Sequence, residues 1–284
     1  MWGGALEKAD DDPYVSETGE PEYGPSGEDL DRIIHTKSEL GPLMLKQVPE
    51  GQVMRCIVKR EKGMLGFSED IVLCVQEPSK WENDKQHHRV SPGNGGREGY
   101  LFPGNVRTDP QLLHHQVLLA QKKQKSSTLN IHINFPEIMG RQLLGKIRSM
   151  DKREYTLYDD GDKKERKELG FCKVTTAGAT KPITLEAKVK LDQGALLVES
   201  YDLETVQPKY NKDKGSYYLP FERVGERVTM NSRHNFLLQK SDAKKKRKKP
   251  LQIGKIEKSM FALDIRYPLT PLHAFFIVLC HIQE

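Results

Sequence analysis

The sequence predicts an all-β fold, a sandwich or a barrel, that ends in one apolar helix. Two observations carry this prediction. The chain contains about a dozen short alternating segments at intervals of roughly ten to fifteen residues, which is typical of all-β architectures. Its C-terminus contains an uninterrupted apolar run that is too short to cross a membrane.

The C-terminal run, Pro268 to Ile282, predicts a helix that starts at Thr270. A threonine followed by Pro271 supplies a capping hydroxyl and a residue that needs no amide donor. Residues 274–280 are all apolar, so no face of the helix is left for water. Twelve helical residues rise about 18 Å against the roughly 30 Å of a bilayer core, so we expect the rest of the chain to enclose this helix.

The strand predictions rest on alternating apolar residues between turn signals. A hairpin signature, Asp159-Asp160-Gly161, closes one of them. The candidate strands are Val53–Arg60, Ile71–Gln76, Val117–Ala120, Ile131–Phe135, Gly145–Ser149, Glu154–Tyr158, Leu169–Thr175, Ile183–Leu191, Ala195–Tyr201, Tyr217–Phe221, Asn235–Gln239, Leu251–Ile256 and Met260–Arg266.

The distribution of charge divides the chain. Residues 1–41 hold eleven acidic and three basic residues, and we interpret them as an acidic, mostly disordered leader. Order is expected from about Leu43, and residues 42–284 form the domain, with an insertion or mobile lid at about 77–116. The basic body indicates a polyanionic partner, either a phosphate-bearing lipid or nucleic acid. Four widely spaced cysteines favour reduced, buried thiols.

Nine sequence blocks together resemble the tubby-like protein family. They are RCIVKR, VLLA followed by lysines, GKIRS, YTLYDDG, RKELGFCKV, PKYNKDKGSYYLPF, RVTMNSRHNFLL, LQIGKI and the C-terminal FALDIRYPLTPLHAFFIVL. The resemblance covers about residues 43–284. It implies a closed, mainly antiparallel barrel of about twelve strands around a central C-terminal helix, and a domain that binds phosphoinositides, especially phosphatidylinositol 4,5-bisphosphate.

The same resemblance implies the positions of the headgroup site. The residues after the VLLA strand and in the GKIRS block correspond to the family's basic pocket, and they are Lys122, Lys123, Lys125, Lys146 and Arg148. A guanidinium can bind one phosphate with two parallel hydrogen bonds, so Arg148 is expected to orient the headgroup. From the residues alone, the QKKQK segment could instead be a solvated loop.

The strongest charge run lies just before a candidate strand. It comprises Lys244, Lys245, Lys246, Arg247, Lys248 and Lys249. It is consistent with a nuclear localisation signal, a polybasic membrane patch or a solvated loop, and the sequence leaves these alternatives open.

No catalytic, cofactor or metal site is predicted. Gly140 to Lys146 satisfies GxxxxGK, but Ile147 stands where Ser or Thr is needed and a strand pattern follows in place of a helix. The histidine pairs 87–88 and 114–115 lack partners at ligand spacing. The resemblance implies a binding protein at the cytoplasmic face of the plasma or ciliary membrane, and we expect it to be a monomer. The expected partners are phosphoinositides and membrane-protein cargo, and the alternative is a nuclear regulator that binds nucleic acid.

Overall fold

A computed structural model describes residues 37–62, 69–76, 114–122, 128–134, 142–151, 153–176, 178, 182–192, 198–213, 215–221, 228–242 and 249–283. The helices and strands, in chain order, are α1 Lys37–Leu45, β1 Met54–Lys62, β2 Glu69–Gln76, β3 His114–Lys122, β4 Thr128–Ile133, β5 Gln142–Asp151, β6 Glu154–Tyr158, β7 Glu168–Thr176, β8 Ile183–Asp192, β9 Val198–Thr205, β10 Lys209–Asn211, β11 Ser216–Tyr218, β12 Phe236–Lys240, β13 Leu251–Glu257, β14 Met260–Ile265 and α2 Pro271–Ile282.

Twelve of the strands form a closed antiparallel barrel. The order around it is β1-β14-β13-β12-β9-β8-β7-β6-β5-β4-β3-β2, and β10 and β11 form a separate two-stranded sheet. The predicted barrel is confirmed. The predicted strand Tyr217–Phe221 is wrong: only Tyr217 and Tyr218 are in a strand, β11, which pairs with β10 and not with the barrel.

The helix α2 fills the barrel, as predicted. All twelve of its residues are buried, and the Thr270 side chain accepts a hydrogen bond from the His273 amide, so the predicted cap is also confirmed. Two wall glycines, Gly170 and Gly145, lie where neighbouring strands leave little room for a side chain. A Cβ built on Gly170 would lie 3.1 Å from the Lys188 carbonyl oxygen, and one on Gly145 would lie 3.0 Å from the Tyr158 carbonyl oxygen.

The helix α1 begins at Lys37, about six residues before the predicted start of order at Leu43. Its Leu40 and Met44 are buried, as is expected of residues four apart on one helix face. The segment that follows contacts the start of α2, because the Val48 amide donates to the Leu269 carbonyl at 3.0 Å. Residues 1–36 and 77–113, which contain most of the predicted leader and insertion, lie outside the described residues.

The two ends of the barrel can be told apart by the helix inside it. We call the end where β14 finishes and α2 starts the entry end, and the end where α2 finishes the exit end. His281, in the last turn of α2, stacks on Phe236 at the start of β12, with ring centroids 4.2 Å apart. Because neighbouring strands are antiparallel, the β3–β4 and β9–β12 connections lie at the exit end, and the β6–β7 and β12–β13 connections lie at the entry end.

Within the described residues, neither helix is long and apolar enough to span a bilayer. All four cysteines are buried and free, as predicted.

Candidate functional site

Lys146 and Arg148 lie on the outer surface of β5. Along this strand they alternate with the buried residues Gly145 and Ile147, and both are partly exposed. Since side chains alternate across a strand, Lys146 and Arg148 share the face that points away from α2. The strand also rules out a P-loop, because the GK pair of GxxxxGK lies inside β5 and does not precede a helix.

The β3–β4 hairpin lies beside Arg148. Thr128, the first residue of β4, pairs with Arg148, and Lys122, the last residue of β3, pairs with Leu129. Neighbouring strands lie roughly 4.8 Å apart, so the backbones of Lys122 and Arg148 are about 10 Å from each other. Lys123 and Lys125 lie outside the described residues, so their place in the site stays a prediction.

The cations of β5 differ from those of the neighbouring strands. Outward-facing lysines on β7 and β8 are paired with carboxylates across the sheet: Lys173 with Glu154 at 3.2 Å, Lys188 with Asp202 at 3.6 Å and Lys190 with Glu168 at 3.0 Å. In the part of the chain that the structure describes, neither Lys146 nor Arg148 forms an ion pair. No carboxylate among the described residues therefore neutralises the positive charge of Lys146 and Arg148.

Arg148 is also left with an unused hydrogen-bond donor. Its Nε is buried and makes no hydrogen bond within the described structure. A buried donor without a partner costs about 1–3 kcal/mol. An anion that accepted a hydrogen bond from Arg148 Nε would remove that cost.

Tyr158 contacts Arg148 and also a third cation, Arg166. Its ring lies opposite Lys146 in the register of β5 and β6, with Arg148 Cζ 6.0 Å and Arg166 Cζ 5.7 Å from its centroid. Two guanidinium groups at these distances make cation–π contacts with one ring. Arg166 was missed by the sequence analysis, although it opens the RKELGFCKV block.

The loop that carries Arg166 is held by Asp159. The Asp159 carboxylate accepts hydrogen bonds from the Gly161 amide at 3.2 Å and the Lys167 amide at 3.0 Å, which confirms Asp159 as a turn residue. Arg166 Nε donates to the Gly161 carbonyl at 3.5 Å. These hydrogen bonds order the loop and hold the Arg166 guanidinium group beside Tyr158.

The strand ends beside the polybasic run lie at the entry end. Asp242 follows β12, and Lys249, the last residue of the run, precedes β13 there, whereas Lys122 and Thr128 lie at the exit end. Lys249 is itself engaged, since its Nζ donates to Gln239 Oε1 at 3.2 Å. Lys244 to Lys248 lie outside the described residues.

Comparison with known proteins identifies one family. Residues 179–284 match the model described as Tub family. Tubby-related protein 2 of Mus musculus is 28% identical over 209 residues, which are 58% of this chain and 36% of that protein. Tubby-related protein 1 of Homo sapiens is 38% identical over 91 residues, 31% of this chain and 15% of that protein. The chain thus spans about a third or less of the length of these relatives.

Proposed function

The chain is a divergent member of the tubby-like family, and on this premise we propose that it is a phosphoinositide-binding adaptor that docks on membranes. The lipid is phosphatidylinositol 4,5-bisphosphate, and the role is binding without catalysis. The observation that carries the proposal is the pair of cations on β5, Lys146 and Arg148, which have no carboxylate partner in the described structure.

The chemistry of the site suits a headgroup with several phosphates. Arg148 can give two parallel hydrogen bonds to one phosphate, and the Lys146 ammonium two residues along can bind a second. Arg166 adds a cation from the β6–β7 loop, with its Cζ 5.7 Å from the centroid of the Tyr158 ring. Because these groups project from paired strands and an ordered turn, little side-chain order has to be gained on binding.

The double variant Lys146→Ala, Arg148→Ala tests the site. Charge-assisted hydrogen bonds contribute about 1.5–3 kcal/mol each, so each substitution is expected to weaken headgroup binding by about tenfold or more. Binding is measured by calorimetry with soluble inositol trisphosphate and by sedimentation with vesicles that contain phosphatidylinositol 4,5-bisphosphate.

The matched control is Lys173→Ala, Lys188→Ala. It removes the same number of positive charges from nearby strands, but both lysines are already paired with carboxylates. It should bind the headgroup as the unaltered protein does. Equal binding by the β5 variant and the unaltered protein would refute the proposed site.

The cellular part of the proposal is delivery of membrane-protein cargo at the plasma or ciliary membrane, or release from the membrane when the lipid is hydrolysed. Nuclear regulation through nucleic acid is the alternative proposal. Binding to DNA with a base preference that survives the loss of Lys146 and Arg148 would favour this alternative.

A further inference from the structure

The connection between β9 and β12 carries a second surface feature at the exit end. It starts beside β12, where the Val206 amide donates to the Leu237 carbonyl at 2.8 Å. It returns along β13, where Asn235 Oδ1 accepts from the Lys255 amide at 2.8 Å. Between these points it forms the β10–β11 hairpin.

This hairpin exposes an aromatic pair. Tyr210 pairs with Tyr217 in the register, and their ring centroids are 5.0 Å apart. Tyr210 is 54% exposed, and Met230 on the same connection is 43% exposed. Only four large hydrophobic residues are exposed in the described part of the chain, and this one connection supplies two of them.

Local hydrogen bonds hold the turn that presents Tyr210. Asn211 Oδ1 accepts from the Asp213 amide at 2.9 Å, and the Gly215 amide donates to the Lys212 carbonyl at 3.4 Å. Gly215 has φ of +59°, which a side chain would disfavour. An ordered turn therefore holds the tyrosine pair at the surface.

Positive charge surrounds the aromatic pair. Lys209 and Lys212 are exposed on the hairpin itself, and Lys258 is exposed in the β13–β14 turn at the same end of the barrel. The described residues of the connection and of 255–260 hold five basic side chains, Lys209, Lys212, Arg233, Lys255 and Lys258, against the two acidic ones, Asp213 and Glu257. The surface thus complements an anionic partner.

We propose that the β10–β11 hairpin is a second membrane contact, in which Tyr210 enters the headgroup region of an anionic bilayer and Lys209 and Lys212 bind lipid phosphates. Tyrosine is enriched at membrane–water interfaces because its ring is apolar and its hydroxyl is polar. This inference rests on the proposed function and adds a contact that the headgroup site does not supply.

The points at which the connection leaves and rejoins the barrel fit this partner. The β9–β12 and β3–β4 connections are both at the exit end, and six of the twelve strands separate them in either direction around the barrel. They lie on opposite sides of one rim. A flat bilayer laid against the exit end would face the strand ends at Lys122 and Thr128 together with the connection that carries the hairpin.

The double variant Tyr210→Ser, Lys212→Gln tests the contact. One lysine near an anionic leaflet contributes about fivefold in partitioning, so the double variant should bind vesicles about tenfold more weakly. Two vesicle types are used, phosphatidylcholine with phosphatidylserine and the same mixture with phosphatidylinositol 4,5-bisphosphate. Binding of soluble inositol trisphosphate should not change.

The matched control is Val198→Ser, which removes a 64% exposed apolar side chain from the entry end of β9. It should bind both vesicle types normally. Unchanged vesicle binding by the hairpin variant, or an equal loss of soluble headgroup binding, would overturn the contact.

A reporter variant, Tyr210→Trp, separates this inference from the proposed function. Its added tryptophan emission should shift to shorter wavelength with phosphatidylserine vesicles, even if the protein bound no phosphoinositide headgroup. No shift with vesicles, or a shift with DNA alone, would overturn the membrane contact.

Discussion

Replacement of Phe276 by alanine is expected to lower the free energy of unfolding by about 4 kcal/mol. Phe276 is fully buried in the middle of α2. Its ring packs against Gly170 of β7, where a Cβ would lie 3.5 Å from Phe276 Cε1. The barrel wall there is a closed sheet that cannot collapse readily into the cavity left by the ring. The total free energy of unfolding of native proteins is about 5–15 kcal/mol, so this loss would be a large part of it.

Denaturant unfolding at neutral pH measures this loss, with two comparison variants. Phe276→Leu leaves a smaller cavity and should cost clearly less than Phe276→Ala. Val198→Ala changes an exposed side chain and should stay within about 0.5 kcal/mol of the unaltered protein. An alanine variant that unfolded at the same denaturant concentration as the unaltered protein would contradict the placement of α2 in the core.

Acidification is expected to destabilise the barrel, because a neutral histidine is buried in the first turn of α2. His273 Nε2 donates to the Leu169 carbonyl at 3.0 Å, since a carbonyl can only accept. Nδ1 is then the acceptor, and it receives the hydroxyl hydrogen of Thr270 at 2.8 Å. Both ring nitrogens are satisfied in the neutral form, and burial lowers the pKa of His273 to about 4 from 6.5.

The sign of the effect follows from proton binding. Between pH 6.5 and about 4 the unfolded chain binds a proton at this histidine and the folded chain does not, so the free energy of unfolding falls as the pH falls. The contribution is fully present above pH 6.5 and is lost by about pH 4. At roughly 1.4 kcal/mol per pKa unit, His273 alone accounts for about 3 kcal/mol.

Two further histidines, at the exit end, also lower the free energy of unfolding as the pH falls. Burial, with nearby Arg233, Arg60 and Lys255, lowers the pKa of His234 to about 4. Burial and the neighbouring His234 lower the pKa of His281 well below its usual value. The two rings are 5.5 Å apart, so protonation of one disfavours protonation of the other.

His281→Phe provides the control for the acid effect. A phenyl ring can keep the stacking on Phe236 but cannot bind a proton. We expect this variant to lose less stability than the unaltered protein between pH 7 and pH 4, as measured by urea unfolding at a series of pH values. Identical pH profiles would show that His281 does not contribute.

The sequence predicted the parts of the fold that depend on local pattern. Strict alternation placed β8 within one residue, and Thr270-Pro271 marked the first turn of α2. Alternation cannot show which strands share a sheet, so the segment that includes Tyr217 was counted with the barrel, although it pairs only with Tyr210 and its neighbours. The helix α1 was missed because Gly41 and Pro42 interrupt its pattern.

The site was predictable only where a motif marked it. The GKIRS block located Lys146 and Arg148, whereas Arg166 lies in a charged turn that resembles any solvated loop. Its contact with Tyr158 depends on the pairing of β6 with β7, which the linear sequence does not show.

The opposite placement of the β3–β4 and β12–β13 connections has a consequence for binding measurements. A protein resting on a bilayer by its exit end would hold the strand ends at Asp242 and Lys249 on its far pole, facing the aqueous phase. The slope of vesicle affinity against salt concentration should then reflect only the cations near the bilayer. It should be shallower than the slope expected if all cations of the basic body contacted lipid. The far pole would stay open to a second polyanion while the lipid is bound.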